Sequence, residues 1–306
     1  MLSEKKKDLL GQSMLFGATL LWGTSFLVLK QTISVLPMFF VIAIRFVVSG
    51  ALLGIILCKR LKYKLTKKTF LHGLILGFVL ALAYITQTFG LDMSTPSRNA
   101  FLTSSYCVMC PFFVWLVFKK RPKAYNVISA VLCIVGIGII ALSGKKETGS
   151  NVLLGDGLTL IAAVCFGFQI IFIEMFQKQN DDPISLLFSE LITVGIIFTI
   201  LCTCFELPTG ALNIKLTTEQ ILKIAYLTFA CTVLPQMFQL FGQRFASPNH
   251  AAIILSLEAV FGAIFSVIFG EEKLSVMLII GFAVVFIAIL ISELKLDFKK
   301  RKNIKE

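Results

Sequence analysis

The sequence predicts an all-α integral membrane protein whose ten transmembrane helices form two inverted five-helix repeats. Three observations carry that expectation: a composition suited to lipid, ten apolar runs of crossing length, and an internal match between the halves of the chain. Hydrophobic residues make up 57% of the chain and charged residues only 15%, against about 25% charged in a soluble domain. A soluble protein of this size needs a polar face on most helices. Here the apolar runs are nearly continuous, so lipid is the expected solvent for most of the surface.

A helix needs roughly 20 apolar residues to cross the hydrocarbon core. Ten segments meet that length: Ser13–Ile33, Met38–Leu57, Thr69–Gly90, Asn99–Phe118, Ala124–Ser143, Gly157–Gln177, Ile184–Phe205, Ile221–Gly242, Asn249–Phe269 and Leu274–Glu293. The first repeat is expected over 13–143 and the second over 157–293, with a short segment at 1–12, a connection at 144–156 and a basic tail at 294–306. Turn-forming residues punctuate the connections, as at Leu36-Pro37, Ser94-Thr95-Pro96-Ser97, Asp181-Asp182-Pro183 and Ser247-Pro248-Asn249.

The net charge of +12 could suggest a nucleic-acid surface. The basic residues instead cluster between apolar segments, and no polar domain is present to bind a nucleic acid. With ten helices both termini share a side. That side holds 21 Lys and Arg residues against seven opposite: Lys30, Arg98, Lys145, Lys146, Lys215, Lys223 and Lys273. Both termini are therefore expected in the cytoplasm of a multi-pass cell-membrane protein. Eight cysteines lie in or beside apolar segments; Cys107 and Cys110 form a C-x-x-C without a second pair or nearby histidine, and all eight are expected as small apolar fillers.

A shift of 151 residues lays the fourth and fifth segments over the ninth and tenth, with Phe118 over Phe269. A shift of 144 lays Trp22-Gly23 over Phe166-Gly167, and Pro37 and Pro183 take matching places. Five helices per unit is an odd number, so the copies must be inverted. The charges agree: Lys119-Lys120-Arg121 follows the fourth segment inside, whereas Gly270-Glu271-Glu272 follows the ninth outside. Inverted repeats recur in transporters, where two halves rock about a midplane site, although duplication is also a route to a stable bundle.

Polar groups within the apolar segments are the candidate functional residues, because an ionisable side chain at the bilayer centre costs on the order of 3 kcal/mol. Glu258 lies halfway along the ninth segment, too deep to reach the interface. It suits a proton-coupling role, or a neutral carboxyl bonded to a neighbouring helix. Arg45 and Glu190 are intramembrane charges at near-matching places in the two repeats, with Arg45 expected to snorkel. Lys30 and Glu174 also align and are expected at interfaces. Gln236, Gln239 and Gln243 at i, i+3 and i+7 form one polar stripe on the eighth segment, and Tyr84 and Gln87 lie at i and i+3 on its counterpart, the third. Such amides can line a wet substrate cavity or bond helix to helix at about 0.6 kcal/mol each. Pro235 and Pro111 are placed to kink or interrupt their helices. Trp22, beside Gly23 and away from the interfacial belt, suits a cavity wall or tight helix packing.

The arrangement of "LLWGTSF", "AIRF", "YITQTFGLDMSTPSRNAFLTSSY" and "SPNHAAIILSLEAVFGAIFSVIFGEEKLS" resembles the EamA-type branch of the drug/metabolite transporter superfamily along essentially the whole chain. The resemblance implies a ten-helix secondary exporter with a central cavity, typically for amino acids or related metabolites, working by alternating access. Trp22, Arg45, Gln87, Glu258 and Glu272 fall on its recurring motif places. The family's frequent L-E-P motif departs here to Leu257-Glu258-Ala259, so the ninth helix is expected to be less kinked, and Lys120-Arg121 stands at the first-repeat counterpart of the Gly-Glu loop.

The expected function is thus secondary transport of a small metabolite, with membrane lipid as solvent and protons as the candidate coupling ion. No sequence of the form G-x-x-x-x-G-K-[ST] is present, which excludes ATP-driven transport by a Walker A site in this chain. An integral membrane enzyme acting on lipid needs converging nucleophiles, acids or metal ligands. Its histidines, His72 and His250, are too far apart in sequence to suggest a metal cluster, and no cofactor is expected. A receptor or scaffold on the same fold is the remaining alternative.

Overall fold

The computed structural model describes residues 4–144, 151–269 and 275–293. Among them the regular structure is helical throughout. The main helices are α1 (Glu4–Ile33), α2 (Met38–Ile56), α3 (Lys67–Asp92), α4 (Pro96–Phe118), α5 (Ala124–Gly144), α6 (Asn151–Lys178), α7 (Pro183–Thr209), α8 (Thr218–Gly242), α9 (Pro248–Ile268) and α10 (Val276–Glu293). A seven-residue helix, Cys58–Lys64, follows α2.

Eight of these, α1–α4 and α6–α9, are long and apolar enough to cross a membrane. The apolar stretches of α5 (Ala124–Ile140) and α10 (Val276–Ile291) are shorter, so the described residues supply eight crossing helices where the sequence predicts ten. Both stretches adjoin residues outside the described set, 145–150 and 270–274. Helix α1 starts at Glu4 rather than Ser13, and α6 at Asn151 rather than Gly157, because a helix can continue through polar residues past the end of its apolar run. Lys145, Lys146, Lys273, the Gly270-Glu271-Glu272 loop and the 294–306 tail lie outside the described residues.

The exterior carries large apolar side chains: Ile55, Phe78, Ile134, Leu222 and Val276 are each more than half exposed. Such a belt cannot face water at this extent and is a lipid-facing surface. Lipid provides no hydrophobic drive between helices, so close packing must do that work, and small residues allow it. Helix α1 crosses α8 with Gly11 against Gly242, and α6 crosses α3 with Gly155 against Gly90. A Cβ on Gly90 would stand 2.7 Å from the Gly155 carbonyl oxygen, and one on Gly11 would stand 3.0 Å from that of Gly242. These two crossings are exchanged copies of each other, since Gly155 follows Gly11 by the same 144 residues that separate Trp22 and Phe166. Other contacts exchange likewise: α1 on α9 as α6 on α4, and α3 on α7 as α8 on α2. Between the halves, α2 packs on α7 and α5 on α10.

Among the described residues, α4, α8 and α9 are interrupted along their length, and α7 turns π-helical near its end, at Cys202–Glu206. In α4 the break falls at Ser104-Ser105, where Cys107 N–H bonds the Ser104 carbonyl at 3.1 Å in a tight i−3 step. Pro111 lies further on, and its ring opposes the Cys107 carbonyl, so the disturbance appears upstream of the proline. In α8 a π-helical stretch, Phe229–Val233, precedes Pro235. In α9 the break falls at Leu257 and starts a second half-helix at Glu258. The substitution of Ala259 for proline does not straighten this helix, correcting the sequence expectation. Here too the joint closes with i−3 bonds, Leu257 N–H to Ile254 O at 3.2 Å and Val260 N–H to Leu257 O at 3.0 Å.

Candidate functional site

The broken helices surround an internal cavity lined by apolar and aromatic side chains with a few polar groups among them, the usual make-up of a small-molecule site. Helix α1 turns one face to it, with Trp22, Ser25, Phe26 and Leu29 at i, i+3, i+4 and i+7. Tyr84 and Gln87 enter from α3, Phe166, Gln169 and Ile170 from α6, and Gln236 and Gln239 from α8. Tyr106, just after the break in α4, faces Leu255 and Glu258, which flank the break in α9. Helical spacing therefore places the polar groups, and the two breaks bring α4 and α9 to the same chamber.

Of the predicted residues, Trp22, Tyr84, Gln87, Gln236, Gln239 and Glu258 come together on this wall. Glu258 is the one carboxyl group in the lining, and it lies within interaction range of Tyr106. Gln87 donates to Thr103 Oγ1 at 3.1 Å, tying α3 to the last residue before the break in α4. Among the described residues, Trp22 Nε1, Gln236 Oε1 and Gln239 Oε1 are buried without a protein hydrogen-bond partner. A buried polar group left unmade costs on the order of 1–3 kcal/mol, so these atoms favour a polar solute or water in the cavity.

Three predicted residues lie outside the lining. Gln243 is a turn beyond Gln239 and donates to the Ile170 carbonyl at 3.3 Å, joining α8 to α6. Glu190 is fully buried behind the wall and accepts from Gln169 Nε2 at 2.7 Å. Arg45 is 1% exposed and does not snorkel. Its Nη2 donates to the Cys231 carbonyl at 2.7 Å, its Nε to Thr232, and its guanidinium stands 5.2 Å from the centre of the Tyr84 ring. Deep in the bundle these bonds and the ring face hold the cation in place of interfacial water.

One loop cation also departs from expectation. Arg98, counted among the loop cations, is buried in a two-point ion pair with Asp156 that joins α4 to α6, with Nε 2.7 Å from Oδ1. Lys30, in the last turn of α1 and partly exposed, donates to the Leu91 carbonyl at the end of α3 at 2.9 Å. Glu174 pairs with Lys178 one turn on.

Sequence reasoning missed Tyr106, Phe166 and Gln169 as lining residues. Phe166 and Gln169 were within reach, since Phe166 aligns with Trp22 in the other repeat and Gln169 follows one turn later. Tyr106 aligns with Leu257, beside Glu258, at a shift of 151.

An apolar exterior around interrupted helices and an internal chamber carrying a few polar groups define a multi-pass membrane protein of the carrier class. The chain belongs to the EamA-like transporter family, which matches residues 9–142 and again 153–294. A protein of Archaeoglobus fulgidus described as "Uncharacterized transporter" is 30% identical over 276 residues, covering 90% of this chain and 83% of its own. A second, with the same description and from the same organism, is 23% identical over 259 residues, covering 83% and 87%. A solved structure described as "Crystal structure of protein" shares the fold, with a TM-score of 0.71 and 15% identity over 96% of this chain and 99% of that one. The chain is accordingly a membrane transporter.

Proposed function

We propose that this transporter is a secondary active exporter of amino acids or related small metabolites, working by alternating access around the central cavity. The observation that carries the reading is the convergence of Trp22 Nε1, Gln236, Gln239 and Glu258 on one buried space between interrupted helices. Neutral amides and an indole can hold a polar metabolite without the cost of desolvating a fixed charge. Glu258, at the joint of a broken helix and beside Tyr106, is positioned to exchange a proton for solute.

The same reading makes α5 and α10 membrane-crossing, completing ten helices in two inverted units over 13–143 and 157–293. The exchanged glycine crossings support it, since inverted halves meet through equivalent surfaces. It also puts both termini in the cytoplasm of the cell membrane, following the 21-to-seven bias of basic residues.

The test is counterflow. Purified protein in liposomes preloaded with a mixture of unlabelled amino acids and metabolites is given labelled candidates one at a time. Transient accumulation of a labelled compound is the expected result. Binding without flux would instead mark a receptor on this fold, and a change in the mass of the compound would mark an enzyme; either would overturn the reading.

A further inference from the structure

A buried carboxyl group sits one amide away from the cavity, and the described function leaves it unused. Glu190 on α7 is fully buried. Its Oε1 accepts from Gln169 Nε2 at 2.7 Å, Gln169 Oε1 accepts from Gln239 Nε2 at 3.2 Å, and Gln239 belongs to the cavity wall. The two ends of this three-residue chain, Glu190 Oε2 and Gln239 Oε1, have no partner among the described residues.

We propose that Glu190 is a second proton-binding group that sets the hydrogen-bonding polarity of the cavity wall through Gln169 and Gln239. The direction of the chain follows from the donor inventory. An ionised carboxylate only accepts, so Gln169 must turn its NH2 toward it and offer its oxygen to Gln239. Gln239 then spends its NH2 on Gln169 and leaves an oxygen for the cavity. A protonated Glu190 has an O–H to donate. With its second oxygen otherwise unpartnered, that proton gains a bond when Gln169 rotates by half a turn and presents its oxygen. Gln239 must rotate in response, and its NH2 then serves the cavity. One proton at Glu190 thus converts an acceptor site for an ammonium or hydroxyl into a donor site for a carboxylate or carbonyl oxygen.

The helices around α7 carry, among their ionisable groups, Arg45 on α2, His72 and Tyr84 on α3, Glu174 on α6 and Cys231 on α8. Arg45 is engaged by Cys231 and Thr232, His72 by Asp181, and Glu174 by Lys178. Tyr84 stands within electrostatic range of Glu190. None of these residues is in the amide chain itself.

The functional consequence rests on the cavity being the transport site, but its test needs no substrate. Protein labelled with carbon-13 at the glutamine side-chain carbonyl is reconstituted in liposomes and titrated with pH under infrared spectroscopy. The expected result is a protonated-carboxyl band and a glutamine carbonyl shift that titrate together. Glu258→Gln should retain the coupled pair. Glu190→Gln should abolish the glutamine shift together with the part of the carboxyl band that titrates with it, and Gln169→Leu should keep that carboxyl band while the glutamine shift falls to baseline. No glutamine shift in the native protein, or a shift that survives Glu190→Gln or Gln169→Leu, would overturn the proposal. The Gln169→Leu arm decides the matter should Glu190→Gln fail to fold. Counterflow can succeed when this titration fails, and the reverse, so the two readings fall separately.

Discussion

Arg45 Nη2 donates to the Cys231 carbonyl at 2.7 Å, and Pro235, four residues beyond Cys231, has no N–H with which to claim that oxygen. The proline and the arginine are therefore complementary: one withdraws a helical donor in α8, and the other supplies a replacement from α2. Arg45→Met should leave the Cys231 carbonyl and Thr232 without that donor, at about 1–3 kcal/mol. Pro235→Ala restores an N–H in α8, so the double variant should lose less stability than the two single losses added together. Thermal unfolding of the four proteins in one detergent gives the coupling; strict additivity would show that the arginine and the proline act independently.

The crossing of α3 on α7 depends on backbone proximity at Gly77. A Cβ there would stand 2.5 Å from Thr193 Cβ and 2.7 Å from the Glu190 carbonyl oxygen. Neither a backbone oxygen nor a β-branched side chain can yield cheaply, so Gly77→Ala should destabilise by about 1–3 kcal/mol. Gly138 is the control, since a Cβ added there would meet nothing within 4 Å. Gly138→Ala should be neutral or gain up to about 1 kcal/mol from helix propensity. Equal melting shifts for the two variants would remove the packing argument.

These cases show what sequence reasoning can reach. Apolar runs located the helices because lipid demands a minimum length, and the 144-residue shift joined Trp22 to Phe166 because duplicated helices keep their inward faces. Tyr84 with Gln87 and Gln236 with Gln239 reach one cavity because i, i+3 spacing is a property of the helix itself. The partner of Arg45 was beyond reach: it is a carbonyl, carried by every residue, and is singled out by a proline on a distant helix. Arg98 looked like a loop cation for a similar reason, since nothing local in sequence links it to Asp156, 58 positions away. The break in α9 has no proline to announce it. Gln243 differs from Gln239 only in depth along the same stripe, and depth depends on where α6 passes.

Glu258 supplies a prediction that separates solute binding from proton coupling. Its carboxyl group lines the cavity beside Tyr106, and glutamine keeps its size and one acceptor while removing the exchangeable proton. Glu258→Gln should retain counterflow, which needs no net proton movement. Accumulation driven by a pH gradient should fall to the equilibrium level. A variant still driven by the gradient would exclude Glu258 as the coupling group.

The start of α7 offers a stability prediction with a defined pH direction. Asp182 accepts from Ser185 N–H at 3.1 Å as the helix cap, and Arg60 Nη2 donates to its Oδ1 at 2.6 Å. Burial by itself pushes this carboxyl upward, but the hydrogen bonds from Arg60 and Ser185 outweigh it and hold the group below its ordinary range. A depressed carboxylate stabilises the fold above its unfolded value, about 3.9, and that contribution is lost as pH falls through the lower folded value. Asp182→Asn keeps a good capping residue and loses the ion pair, which is partly exposed through Arg60, so at neutral pH it should cost no more than about 1 kcal/mol. Asp182→Ala loses the cap as well and should cost about 1 kcal/mol more. Melting temperatures of the native protein and Asp182→Asn should converge as pH drops below about 4. A gap between them that stays constant from neutral to acid pH would show that the charge of Asp182 contributes nothing to holding α7 against the Cys58–Lys64 helix.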